Sequence, residues 1–208
     1  MSEEQTIQTP LWVQELDKYK ASKPIEDVAA DLGLKPEDII MLVANENPNG
    51  MSDKVKEAVS KAVFSLNRYP DADSYHLQKA IAEKYGVPQD WVVIGSGSSE
   101  LLGLAAQTVL SVGTTAIYPQ YSFSLYPMVA RLCGAETIEV PATGDYNADL
   151  QAMLDAIDSR TRLIFLTNPN NPTGTYLAEN DILQFLDQVP PNVMVLFDEA
   201  YVEFLEPA

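Results

Sequence analysis

Four stretches of this chain end in residues able to act on a bound molecule, and each follows a run of apolar residues. Asp198 closes the run Val193–Phe197 and is followed at once by Glu199. An ionised carboxylate at the margin of a core is costly unless a cation or several donors meet it, so Asp198 calls for a cationic partner or for a turn or helix that it caps. "TNPNNPTGT", from Thr167 to Thr175, follows Leu163–Leu166. Its prolines fix φ and Gly174 can take positive φ, so the amide of Asn171 can be aimed rigidly; turn punctuation alone would also account for the composition. Tyr121 lies a few residues past Thr114–Tyr118, where its ring can either cover a flat ligand or pack. "VVIGSGSSELLGLAA" reads as a strand, a Gly/Ser turn and a helix opening at about Ser98 or Ser99. The free amides and positive dipole end of that helix make Gly97, Ser98 and Ser99 an anion site, or else a plain serine-capped start. Glu100 stands where a dinucleotide fingerprint would carry its third glycine.

An anion cradle, an aromatic cover, a rigid amide and a carboxylate are the needs of one kind of ligand, a flat, phosphorylated, protonated heteroaromatic ring. Pyridoxal 5′-phosphate fits that description. Its phosphate suits the helix start, its ring needs a face partner, its 3-oxygen takes donors, and its pyridinium nitrogen needs a carboxylate to stay protonated as an electron sink.

The elements that must position these residues follow from periodicity. Apolar residues at Val55, Ala58, Val59, Ala62, Val63 and Leu66 predict an amphipathic helix over 52–66, capped by Ser52. The same period recurs in Leu77, Ile81 and Tyr85, in Leu101–Leu110, and in Leu150, Met153, Leu154 and Ile157. Between them lie β-rich runs: Trp91–Ile94, Thr114–Tyr118, Thr137–Val140, Leu163–Leu166 and Val193–Phe197. Their alternation with helices predicts an α/β fold, a mostly parallel sheet with helices on both faces, whose ligands bind beyond the carboxyl ends of the strands. Residues 1–50, Pro-punctuated with one short helix candidate at Ile25–Leu34, read as an N-terminal arm, and 51–208 as the main domain.

Of the 208 residues, 46% are hydrophobic and 21% charged, enough apolar material for a globular core. The formal net charge of -17 argues against nucleic acid or an anionic membrane as partner. A lone Cys133 cannot form an internal disulfide and reads as a small core filler. With no leader-like or spanning segment in view, the chain is expected to be cytoplasmic. No metal site is expected.

The ordered set "VANENPNG", "RYPDADSYHLQKAIAEKYG", "GSGSSELL", "YPQYSFSLY", "TNPNNPTG" and "FDEAYVEF" resembles the fold-type-I, class I and II pyridoxal-phosphate aminotransferases, most of all the histidinol-phosphate aminotransferase family. The likeness runs from about Tyr19 to the last residue. It implies a homodimeric enzyme of histidine biosynthesis that moves an amino group between L-histidinol phosphate, or a related amino substrate, and 2-oxoglutarate. By the resemblance, Gly97, Ser98 and Ser99 hold the cofactor phosphate, Tyr121 stacks on the ring, and Asn171 and Tyr201 bond the 3-oxygen. Asp198 pairs with the ring nitrogen, Tyr69 reaches the phosphate of the other subunit's cofactor, and Tyr19 and Asn45 lie near the substrate.

Two departures stand out. The family commonly reads Tyr-x-Pro-Gly-Lys-Pro where this chain reads Tyr19-Lys20-Ala21-Ser22-Lys23-Pro24. The family's cofactor-binding lysine lies beyond the strand after "DEAY", whereas the last lysine here is Lys84, so the polypeptide reads as the front half of such an enzyme and is expected to be inactive alone. Alternative expectations are a decarboxylase of the threonine-phosphate type on the same scaffold, or a non-enzymatic half-length product.

Overall fold

The computed structural model describes residues 8–16, 22–42 and 44–205. By its contacts the chain divides into two compact units, Met1–Asp17 with Val93–Ala208, and Lys18–Val92. The composition-based boundary at residue 50 falls inside the second of these.

Within Lys18–Val92 the chain is helical; α1 (Leu11–Gln14) precedes this unit, which contains α2 (Ile25–Leu32), α3 (Asp53–Ala62) and α4 (Tyr75–Tyr85). α2 stops at Gly33, whose φ of 66° closes the helix two residues short of the expected Leu34. α3 begins as expected, with the Ser52 hydroxyl accepting the Val55 N–H at 3.4 Å, and tightens into a 3-10 turn over Val63–Ser65. Its apolar stripe, Val55, Val59 and Val63, is about half exposed among the described residues. α4 is introduced by Asp71, whose carboxylate accepts the N–H groups of Asp73 and Tyr75 at 3.2 and 2.8 Å.

The other unit holds the sheet. α5 (Gly97–Val109), β1 (Thr115–Pro119), α6 (Leu125–Leu132), β2 (Glu136–Val140), α7 (Leu150–Asp155), β3 (Thr161–Thr167), α8 (Glu179–Gln188) and β4 (Met194–Asp198) follow in order. All three strand pairings are parallel, in the order β2-β1-β3-β4. Side chains alternate across the pleat and feed two cores. Ala116 and Tyr118 of β1 and Leu163 and Phe165 of β3 pack with Leu102 and Ala106 of α5 and Tyr126, Val129 and Ala130 of α6. Ile117, Ile164 and Leu166 point the other way, onto Met153 of α7 and Phe185 of α8. Burial on both faces is why β1 and β3 read as unbroken apolar runs. Cys133 closes α6 and packs against the first core, where burial pushes its thiol up from the ordinary value.

Four of the five expected strands form. Trp91–Ile94 does not: Gln89–Trp91 is a 3-10 turn, and Trp91 and Val93 are 74% and 67% exposed. Strand propensity needs a neighbouring ladder to become a strand, and no described strand lies beside this segment.

Candidate functional site

The carboxyl ends of β1, β3 and β4 are side by side. After β1 the chain passes through α6 to β2 on one flank, and then returns to place β3 on the other. That reversal is the switch point at which open α/β sheets form a ligand crevice. The loops at this point are those following Pro119 and Thr167, and Asp198 is the register partner of Thr167.

Three asparagines divide the work in the loop after β3. Asn168 is 5% exposed and spends both ends of its amide on one residue: Nδ2 donates to the Leu177 carbonyl at 3.1 Å, and Oδ1 accepts the Leu177 N–H at 2.8 Å. The Asn168 backbone N–H donates to the Asp198 carbonyl at 3.0 Å, extending the β3–β4 ladder to the end of the loop's first residue. Asn170 crosses the switch point, donating through Nδ2 to the Tyr121 carbonyl at 3.0 Å and to Thr173 Oγ1 at 2.7 Å. Asn171 is the third. It is half-buried, and among the described residues neither end of its side-chain amide has a hydrogen-bond partner. Gly174, at φ 69°, returns the chain with its N–H on the Asn170 carbonyl at 2.8 Å. The peptide bonds Asn168–Pro169 and Asn171–Pro172 are cis. A cavity of about 10 Å³ beneath the loop is lined by Asn147 and Asn170, whose buried Oδ1 atoms have no partner among the described residues.

Tyr121 sits at φ 56°, a left-handed conformation that a non-glycine residue adopts at a cost. The Asn170 bond to its carbonyl holds that conformation. Its ring is 50% exposed and meets the ring of Tyr146 edge-on, centroids 5.5 Å apart.

Asp198 is only partly buried at the end of β4, and both of its oxygens are engaged. Oδ1 accepts the Ala200 N–H at 3.1 Å, and Oδ2 accepts the hydroxyl of Tyr126 at 2.8 Å. Each carboxylate oxygen retains acceptor capacity for one further donor. Tyr126 is fully buried, its ring stacked on Phe165 at 4.8 Å. Burial, the charge of Asp198 and the hydrogen bond to it raise the Tyr126 phenol well above its ordinary value, and Tyr201 is near enough to add to the effect. Tyr126 is therefore a fixed donor.

α5 starts one residue before the sequence expectation, at Gly97, with φ 72°. A Cβ there would meet nothing within 4 Å, so it is the backbone angle that favours glycine. The Gly97 N–H donates to Gly95 O at 2.9 Å, and the Glu100 carboxylate folds back onto the Ser96 N–H. Ser98 and Ser99, both exposed, retain first-turn amides that no helix can satisfy internally. The two sequence readings of this start thus coexist: an acidic residue caps it, and an open pair of serine amides and hydroxyls remains.

Tyr69 and Asn45 belong to the Lys18–Val92 unit. Tyr69 is fully exposed and Asn45 adopts φ 51° in a turn. Tyr19 lies outside the described residues. Among the described residues no group of His, Cys, Asp and Glu could hold a metal ion, and no helix is long and apolar enough to cross a membrane. Sequence reasoning missed Asn168, Asn170 and Tyr126. The crowding of asparagines after a strand is the signal that could have found the first two, and a tyrosine in an apolar helix, whose hydroxyl must find a partner, the signal for the third.

Fold and site together define an α/β protein whose candidate site lies at the switch point of a parallel sheet. The chain belongs to the class I and II aminotransferases: the model of that family, "Aminotransferase class I and II", matches residues 37–208. It is 44% identical over 199 residues to "Histidinol-phosphate aminotransferase 2" of Nitrosospira multiformis, covering 96% of this chain and 50% of the relative. It is 45% identical over 198 residues to the protein of the same name from Ralstonia nicotianae, covering 95% and 53%. In fold it is similar to the crystal structure of histidinol-phosphate aminotransferase from Sinorhizobium meliloti in complex with pyridoxal-5′-phosphate, with a TM-score of 0.83 at 24% identity, covering 97% of this chain and 53% of that one. The chain spans about half the length of the relatives it matches.

Proposed function

We propose that this chain forms the ring- and phosphate-holding part of a pyridoxal 5′-phosphate-dependent aminotransferase of the histidinol-phosphate type, cytoplasmic and dimeric, with 2-oxoglutarate as amino acceptor. The observation that carries the reading is the Asp198 carboxylate, fixed at a strand end by Tyr126 and the Ala200 N–H with one acceptor direction left on each oxygen. The donor set fits the cofactor. A carboxylate meets a protonated ring nitrogen, an unpartnered Asn171 amide meets a ring oxygen, and the Ser98 and Ser99 amides meet a phosphate at a helix start. The half-exposed ring of Tyr121 supplies a flat apolar face.

The cofactor would supply an electron sink through its protonated ring nitrogen, which stabilises the negative charge that develops at the amino-bearing carbon when its proton is removed. Asp198 would keep the proton at that nitrogen by placing a negative charge beside it. Asn171, and Tyr201 just after β4, would donate to the ring oxygen. Asn170 acts one step back, locking Tyr121 to the Asn171 loop so that ring face and amide keep one geometry. Ser98 and Ser99 anchor the phosphate. Tyr69, fully exposed on the other unit, is free to serve the phosphate of a partner subunit.

The choice of histidinol phosphate as amino donor draws on the two relatives that bear that name at 44% and 45% identity. The test is an amino-transfer assay on the product of the complete reading frame, with L-histidinol phosphate and 2-oxoglutarate. Formation of glutamate is expected. Carbon dioxide release without consumption of the keto acid would favour a decarboxylase, and no reaction with any amino donor would overturn the reading.

A further inference from the structure

Tyr126 is the residue in this site whose chemistry the fold isolates most completely. It lies in the first turn of α6, has no exposed surface, and is clamped between Phe165, stacked at 4.8 Å and 11°, and Phe123, edge-on at 5.8 Å and 88°. Its hydroxyl reaches out of this apolar packing to Asp198 Oδ2, at 2.8 Å and 72 residues along the chain. A buried phenol could have been satisfied by any nearby carbonyl. Here it joins the helix layer on one face of the sheet to the carboxylate at the end of β4.

The consequences for Asp198 are geometric. With Oδ1 tied to the Ala200 N–H and Oδ2 tied to a rigid ring, the carboxylate plane cannot rotate about its terminal bond. Terminal carboxylate torsions are otherwise broad. A freely turning carboxylate would present its remaining lone pairs in many directions; a doubly anchored one presents them in one. Because burial and the Asp198 charge hold the phenol above its ordinary ionisation range, the anchor stays a donor at all physiological pH values.

We propose that Tyr126 is a positioning residue: it holds the Asp198 carboxylate in the orientation that meets a protonated nitrogen of a bound pyridine ring. This rests on the proposed pyridoxal-phosphate reading and adds a residue to it. Tyr126 touches neither substrate nor cofactor and acts only through Asp198. The ligand chemistry it serves is specific, a ring N–H⁺ at the position Asp198 faces, and a ring carrying C–H there gains nothing from it.

The test compares two probes on the complete polypeptide, pyridoxal 5′-phosphate and its 1-deaza analogue, in which the ring nitrogen is replaced by C–H. Dissociation constants are measured by absorbance for the wild type and for Tyr126→Phe, which keeps the stacked ring and removes only the hydroxyl. Tyr126→Phe is expected to weaken pyridoxal phosphate binding roughly tenfold or more, the scale of a hydrogen bond to a charged group, and to leave the deaza analogue unchanged. It is also expected to lower kcat at constant KM for the amino donor, and both effects should vanish in an Asp198→Asn background. Equal losses for the two probes, or no loss for either, would overturn the positioning role and show that Tyr126 serves only packing. Failure of the wild type to bind either probe would overturn the cofactor reading itself and this inference with it. Should Tyr126→Phe fail to fold, 3-fluorotyrosine at 126 retains the hydroxyl. Its fluorine resonance should move on adding pyridoxal phosphate and stay put with the deaza analogue; no difference between the probes would overturn the proposal.

Discussion

Replacing Asn168 by alanine isolates the residue on which the loop after β3 depends. The native side chain is 5% exposed and makes two hydrogen bonds to Leu177, at 3.1 Å from Nδ2 and 2.8 Å to Oδ1. Asn168→Ala removes both and leaves the N–H and C=O of half-buried Leu177 without partners. Leaving a fully buried partner unpaired costs about 1–3 kcal/mol; half-buried Leu177 takes the lower part of that range, about 1–2 kcal/mol for each of its two groups, so the pair amounts to about 2–4 kcal/mol. For a chain of this size that lowers Tm by roughly 4–16 °C. Scanning calorimetry of the two proteins reads it directly. The charged isostere sharpens the test: Asn168→Asp keeps the acceptor for the Leu177 N–H but turns a second oxygen toward the Leu177 carbonyl. It should be destabilised at neutral pH and regain part of the loss on acidification, as the protonated acid recovers a donor. A fall in Tm under about 2 °C for Asn168→Ala, or an Asp variant indistinguishable from wild type, would show that the loop is held by its prolines and backbone instead.

Asp198→Asn should leave the fold intact and slow amino transfer by roughly 10²–10³ in single-turnover assays, the scale of a lost preorganised charge; near-normal turnover would remove its role. Glu100→Gln keeps an oxygen for the Ser96 N–H but removes a negative charge from the start of α5. It should tighten phosphate-ester binding about two- to fivefold, the rate-independent signature of roughly 0.3–1 kcal/mol, measured by isothermal titration. Gly97→Ala must hold φ 72° with a Cβ that meets nothing within 4 Å. Its cost should be about 1 kcal/mol of backbone strain, seen in chemical denaturation, with no sign of steric clash in the heat capacity or oligomeric state. The raised Tyr126 phenol predicts alkaline sensitivity. Above its ordinary value of 10.0 the unfolded state gives up the proton while the folded state keeps it, so stability present below pH 10 is lost as pH rises. Tyr126→Phe should lose less stability between neutral pH and pH 11 than the wild type, as judged by urea denaturation.

Most strands and several helices were legible where burial imposes a period, although α8, which buries Ile182 and Phe185 on one face, was not read as a helix. β1 and β3 read as unbroken apolar runs because each feeds cores on both faces, and Ser52 announced its helix because capping is chemistry between residues three apart. Trp91–Ile94 carried the same apolar signal and formed no strand, since a ladder is a property of neighbours and not of the segment. Asp198, Tyr121 and Gly97 were marked by their place at the ends of such runs. What joins them was not legible. The bond from Asn170 to Tyr121 spans 49 residues and that from Tyr126 to Asp198 spans 72. No local spacing encodes either one. The sequence also held three asparagines in one short loop without saying which was structural. Only the geometry shows that Asn168 is spent wholly on the protein, that Asn170 is spent through Nδ2 alone, and that Asn171 has no partner among the described residues.

The central claim is that Asp198 holds a proton on the ring nitrogen of bound pyridoxal 5′-phosphate. The most direct measurement is the ¹⁵N chemical shift of ring-labelled cofactor bound to the complete polypeptide, recorded at neutral pH for the wild type and for Asp198→Asn. A protonated-pyridine shift in the wild type and an unprotonated one in Asp198→Asn is the expected result. An unprotonated nitrogen in the wild type, or a protonated one that survives the substitution, would contradict the account.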